Sequence, residues 1–399
     1  MWGGIFYHSM DINNMNSKTK PNQLSPLGGF SLLTVAALTI MVGCVIVPGL
    51  PNVAAQLQIT VSSGWLVTLP SLGVILFSPL AARLMDKVGL RSALMLGLFL
   101  YGLFGVIGVF LSGNLLVFID RILLGGATAI IMAAGTGLIS EFYQGEARMS
   151  MLAKQGMSIE LGGVIFLFIG GLLASMNWSY PFALYLMAWV LLLFVKISIP
   201  NTKSKIIHES RITDYKKLPA GVVIAYIAAT ISMILFFTGI IVLPGKLSGL
   251  SFNEAETGYY LSFISLIAVI GAAALPMIAR KLSEHIVLGL SMFSYAVAHF
   301  CFSFAASTTL IVFGGVMLGI GFGLSIPLVN HLTVEYSSER CRSRNLAYLS
   351  MAIFSGQFLS SFMEFIPGEI SIIFITATLI AVVAGLVFSI LRPLKEIKL

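Results

Sequence analysis

Residues 62–111 read SSGWLVTLPSLGVILFSPLAARLMDKVGLRSALMLGLFLYGLFGVIGVFL. Two apolar runs, 62–82 and 92–111, flank a short gap that carries Arg83, Asp86, Lys87 and Arg91. A helix needs ~20 apolar residues to cross ~30 Å of hydrocarbon. Irregular lipid-exposed backbone is not tolerated at that depth. The stretch therefore reads as two membrane-spanning helices joined by a tight, basic turn.

Outward from this hairpin the alternation covers the whole chain. Spans are predicted at 28–48, 62–82, 92–111, 115–140, 152–173, 180–199, 219–243, 258–279, 286–306, 309–332, 346–366 and 370–391. Of the 23 Lys and Arg residues, 21 fall in the tails, in alternate gaps or, as Lys154 and Lys196 do, in the span ends that border those gaps; the exceptions are Lys246 and Arg121. Lys and Arg are retained on the cytoplasmic side. Both termini are therefore expected in the cytoplasm, and the location is the cytoplasmic (inner) membrane. Residues 1–27 lack the plan of a cleavable signal, so the first span is expected to act as an uncleaved signal anchor.

Composition excludes several classes. Of 399 residues, 58% are hydrophobic and 10% charged, with a mean hydropathy of +0.98. Little chain is left for a soluble catalytic domain. The net charge of +7 is explained by the loops and implies no nucleic acid. Cys44, Cys301 and Cys341 are scattered and odd in number, so no disulfide framework is expected. No metal-ligand cluster, phosphate-binding Gly-x-x-x-x-Gly-Lys or nucleophile-and-base set is visible. The reading is therefore not an enzyme, with no cofactor, no metal and no direct use of ATP.

The longest inside gap, 200–218, divides the chain into six spans plus six. Gly125, Glu141 and Arg148 recur as Gly319, Glu335 and Arg342, each 194 positions on, and Gly162 recurs as Gly356. Ala82-Arg83 echoes Ala279-Arg280 at an offset of 197. The expected organisation is a tail 1–27, a six-helix bundle 28–199, a linker 200–218, a second bundle 219–391 and a tail 392–399. Parallel repeats of this kind place a transport site between the halves near mid-membrane.

Two intramembrane charges carry the chemistry. Arg121 lies about six residues into span four, roughly 9 Å below the outer edge of the hydrocarbon, and Glu160 roughly 16 Å below it in span five. An ionisable group at such depth is costly and needs a partner or water. Asp120 points about 100° away from Arg121 on a helix, so Glu160 is the expected partner. A buried carboxylate near a cation can switch protonation as water access changes, which is what proton coupling needs. The other readings are a purely structural ion pair and a substrate-contacting group without proton transfer.

The gap Ala82-Arg-Leu-Met-Asp86-Lys87-Val-Gly89-Leu-Arg91 resembles the signature of the major facilitator superfamily, Gly-x-x-x-Asp-Arg/Lys-x-Gly-x-Arg/Lys. The local logic is that Asp86 caps a helix start or pairs across the halves, and Gly89 permits a tight turn. In the family this turn latches the two halves on the cytoplasmic side, which assigns Asp86, Lys87, Gly89 and Arg91 to the inner gate. Here the first Gly is Ala82.

Other motifs are similar to those of the twelve-span drug:proton antiporter branch. Asp120-Arg121-Ile-Leu-Leu-Gly125 resembles its Arg-x-x-x-Gly motif, which implies a polar relay through Arg121 with Glu160. Trp178-Ser-Tyr-Pro181-Phe182 resembles its Trp-x-x-Pro-Phe turn, and Pro48-Gly49-Leu50-Pro51 its first-span ending. Span five departs from the pattern: Gly162-Gly163 and Gly170-Gly171 are present, but Phe166-Leu167 stand where Gly-Pro would. The resemblance pairs Glu141 with Arg148 and Glu335 with Arg342 at the inner gate. It also places spans one, four, seven and ten around the cavity, where Thr34, Met41, Met132, Thr136, Met233, Phe237, Asn330 and His331 are candidate lining groups. Met and aromatic side chains suit a bulky amphipathic solute.

The expectation is an all-α, twelve-span integral membrane protein of the major facilitator fold. It is expected to work as a monomer by alternating access, exchanging protons for a small amphipathic drug-like molecule or metabolite. The altered span five keeps uptake of a nutrient open as a second reading. A transport-inactive sensor or scaffold is a third.

Overall fold

The computed structural model describes residues 24–201, 218–305, 307–338 and 341–390. The linker at 200–218 and the tails at 1–27 and 392–399 lie almost wholly outside these described residues. Twelve helices among the described residues are long and apolar enough to cross a membrane. They are α1 (Pro26–Gln56), α2 (Trp65–Val88), α3 (Leu90–Phe110), α4 (Asn114–Phe142), α5 (Gly145–Met176) and α6 (Tyr180–Ser198) in the first half. The second half holds α7 (Ala220–Gly249), α8 (Glu254–Lys281), α9 (Glu284–Phe304), α10 (Thr308–Glu335), α11 (Arg344–Phe365) and α12 (Ile370–Ile390). Every predicted span is found, and several run on beyond the apolar run, because helices continue into polar residues once they leave the hydrocarbon. Large side chains such as Leu76, Ile165 and Leu379 remain exposed, as expected of helix faces that acyl chains would cover.

Local chemistry sets the helix ends. The turn between α2 and α3 is a single residue, Gly89, at φ +81°, a conformation that glycine adopts without a Cβ clash. Asp86 lies in the last turn of α2, and the N-cap of α3 is Gly89 with no side-chain cap. Asp86 is therefore not a helix-start cap: α2 runs through Val88 and leaves no room for one. Asn253 and Glu256 form a capping box at the start of α8. Near its far end α1 narrows to a 3-10 turn over Val47–Gly49, where Pro48 cannot donate an i→i−4 hydrogen bond.

The internal repeat is visible in packing. Gly125 of α4 lies against the Pro70 carbonyl of α2, and Gly319 of α10 lies against the Ile264 carbonyl of α8. Pro70 and Ile264 are themselves 194 positions apart. Likewise Gly162 of α5 packs on Ala37 of α1, and Gly356 of α11 on Thr230 of α7. The repeated glycines thus serve close helix approach, at equivalent positions in the two halves.

Candidate functional site

Two faces of the bundle differ. The far face lies away from Pro26 and Ile390, which mark the terminus face, and is closed by contacts between the halves. Glu364 at the end of α11 accepts hydrogen bonds from Ser62 Oγ and from the Gly64 N–H, the latter at 3.0 Å. Thr68 and Ser361 bond through their hydroxyls. Trp65 of α2 packs against Phe358, Phe362 and Phe365 of α11, with centroids 6.0–6.5 Å apart. On the opposite seam, a Cβ on Gly171 of α5 would lie 2.7 Å from Gly258 Cα of α8.

Below this closure is a central cavity of about 170 Å³. Its walls are mostly apolar and include Met132, Met233, Phe236, Phe237, Phe322 and Phe354. Thr39, Glu160, Ser265 and Gln357 supply the polar groups. Two stripes continue out of it toward the terminus face. Met132 is followed one turn on by Thr136, and Ile326 by Asn330; both Thr136 and Asn330 are exposed. The cavity therefore opens toward the face that bears Pro26 and Ile390 and is shut at the far face.

Of the candidate lining groups, Met132, Met233 and Phe237 are in the cavity wall. Met41 is not: it is fully buried in the core of the first half, because its position on α1 turns toward neighbouring helices. Thr34, Thr136, Asn330 and His331 lie outside the cavity. Thr34 Oγ1 donates to the Phe30 carbonyl, and Thr136 bonds Gln155. Asn330 Nδ2 donates to the Ile326 carbonyl, and His331 Nε2 is 3.4 Å from Glu284 Oε1.

Glu160 lines the cavity and has no hydrogen-bond or ion-pair partner among the described residues. Arg121 does not pair with it. Its Nη2 lies 2.8 Å from Asp120 Oδ2, and its Nε donates to the same oxygen at 3.1 Å. A further bond runs from Nη1 to the Tyr185 hydroxyl at 3.5 Å. The Phe182 and Tyr185 rings lie 5.6 and 5.8 Å from the guanidinium carbon. Adjacent Cβ atoms do diverge, but the long arginine arm folds back to its neighbour, and Gly108 of α3 makes the room. A Cβ there would collide with the guanidinium. Tyr185 in turn donates to the Val42 carbonyl of α1 at 2.9 Å. The Trp-x-x-Pro-Phe turn thus brings Phe182 and Tyr185 to this buried cluster.

The expected inner-gate groups stand at the open face. Arg91 Nη2 donates to the Lys196 carbonyl at 2.8 Å, within the first half. Asp86 and Lys87 are exposed, as are Arg148 and Glu335. Glu141 Oε2 and Arg342 Nε are buried without partners, and neither expected Glu–Arg pair is formed among the described residues in this open state. Just outside the span of α10, burial and then the Glu284 carboxylate push the Tyr336 phenol up.

Sequence reasoning missed Gln357, Ser265 and the aromatic residues Phe236, Phe322 and Phe354. Gln357 had a signal, since it follows the repeated Gly356 in a run otherwise largely apolar. Glu364 was also missed, being two residues from the end of its predicted span.

A model of the Major Facilitator Superfamily matches residues 32–361. A TsgA homologue of Buchnera aphidicola subsp. Schizaphis graminum is 23% identical over 304 residues, covering 74% of this chain and 76% of that protein. The quinolone resistance protein NorB of Staphylococcus aureus is 25% identical over 281 residues, covering 68% of this chain and 54% of that one. The chain therefore spans about half the length of NorB. Among solved structures, the inward-open xylose transporter XylE from E. coli superposes with a TM-score of 0.72 at 15% identity, covering 93% of this chain and 97% of that one.

Proposed function

Because this chain belongs to the Major Facilitator Superfamily, a family of membrane transporters and not of enzymes, we propose that it exports a small amphipathic organic cation in exchange for protons. The observation that carries this reading is Glu160, a carboxylate without a partner among the described residues, in an otherwise largely apolar central cavity. A lone carboxylate in a low-dielectric site favours either a proton or an organic cation. Occupancy by one displaces the other, which is the core of antiport. The Met and Phe walls supply apolar contact for the body of the solute.

Alternating access follows from the closure pattern. In the state seen here the cavity opens at the terminus face, which the Lys/Arg distribution assigns to the cytoplasm of an inner membrane. The turn that carries Asp86, Lys87, Gly89 and Arg91, together with Glu141, Arg148, Glu335 and Arg342, would shut that face as the far face opens. Arg121 acts in this scheme as a fixed charge that holds α3, α4 and α6 to α1, not as a direct partner of Glu160. The chain is taken to function as a monomer. Uptake is the second reading, favoured by α5, which lacks the Gly-Pro of the antiporter pattern.

The test is transport of tetraphenylphosphonium in sealed proteoliposomes with an imposed pH gradient. Accumulation against its gradient, driven by protons moving the other way, supports the reading. Co-directional movement of solute and protons would favour uptake and overturn export.

A further inference from the structure

Two further polar side chains of the cavity, Ser265 and Gln357, lack a hydrogen-bond partner among the described residues, and Gln357 stands on the other seam. Glu160 is on α5, which packs against α8 across the halves through Gly171 and Gly258 and through the Ser262 Oγ bond to the Val164 carbonyl at 2.9 Å. Gln357 is on α11, which packs against α2 across the halves through Ser361 and Thr68. The two polar side chains therefore enter one cavity from opposite seams. The same cavity wall carries the rings of Phe236 and Phe322, with centroids 4.0 Å apart.

Gln357 is held there by its neighbours. A Cβ on Gly356 would lie 2.7 Å from Met233 Cβ and 2.9 Å from Thr230 Cα, so α11 is pressed against α7 at this level. Ser360 Oγ donates to the Gln357 carbonyl at 2.6 Å, which pins the backbone. The residue is 7% exposed, lines the cavity, and its side chain has no hydrogen-bond partner among the described residues. A carboxamide offers two donors and an acceptor, and buried polar groups are normally bonded.

We propose that Gln357 is a specificity-determining residue that hydrogen-bonds a carbonyl, amide or hydroxyl group at the end of the substrate remote from its cationic end. This rests on the organic-cation reading above. The preferred substrate is then an amphipathic cation with a polar group at each end and an apolar body between, and not a purely hydrophobic cation.

A matched pair of probes tests it: benzyltriphenylphosphonium and its 4-carbamoylbenzyl analogue, which differ by one carboxamide. Equilibrium binding to the full chain in detergent is measured for wild type, Gln357→Leu, Gln357→Met and Glu160→Gln. Wild type is expected to prefer the carbamoyl probe about tenfold, the scale of one hydrogen bond in a buried site. Both Gln357 variants should bind the two probes equally while keeping the affinity for the benzyl probe, which reports an intact cavity. Glu160→Gln should weaken both probes alike. Equal wild-type affinities, or a preference that survives in the Gln357 variants, would overturn the proposal. A preference that depends on Gln357 while Glu160→Gln changes nothing would instead sink the cation site and leave the role of Gln357 standing.

Discussion

Replacing Glu364 by Gln should shift this protein toward a state open at the far face. The Glu364 carboxylate joins α11 to the loop before α2 by accepting from Ser62 Oγ and the Gly64 N–H. Hydrogen bonds to a charged group contribute about 1.5–3 kcal/mol and neutral ones about 0.5–1.5 kcal/mol. Neutralising the acceptor therefore costs the closed face about 1 kcal/mol per donor, or about 2 kcal/mol for both. That is roughly a 30-fold change in the ratio of open to closed. A ratio near 1:99 would become roughly 1:3, a readily detected population. Distances between nitroxides at Asn52→Cys and Glu369→Cys, in a background with the native cysteines replaced, report the far face. A pair at Met149→Cys and Lys281→Cys reports the terminus face. Glu364→Gln should add a longer far-face distance and a shorter terminus-face one. Unchanged distributions at both faces would refute the latch.

Two further substitutions separate packing from chemistry. Gly258→Val places side-chain atoms where α5 approaches α8 and should favour the same far-face opening, read by the same two spin-label pairs. Asp120→Ala leaves Arg121 as a buried cation without its carboxylate and should destabilise the protein by about 3–5 kcal/mol, seen as a lower melting temperature in detergent. The double change of Asp120→Ala with Arg121→Met should recover most of that loss, whereas an essential relay role would leave transport dead at restored stability.

The spans were legible because bilayer thickness imposes a length and a composition on each. The repeat was legible at Gly125 and Gly319, because backbone contact tolerates few other residues. Glu160 was legible from depth and charge alone. Its supposed partner was not, because sequence spacing gives Cβ directions and not the reach of a flexible arginine. Met41 shows the same limit from the apolar side: a strongly hydrophobic helix gives little sign of which face meets the cavity. Gln357 and Glu364 acquire their meaning only when the halves come together, which no local pattern encodes.

Proton release on binding tests the shared use of Glu160 most directly. Tetraphenylphosphonium is added to purified protein in weakly buffered detergent solution, and the pH change is followed for wild type and Glu160→Gln. At a starting pH where the Glu160 carboxyl is protonated, about one proton should be released per cation bound by the wild type and none by the variant, as expected for one carboxylate shared by both. Cation binding without proton release in the wild type, or equal release from both proteins, would contradict it.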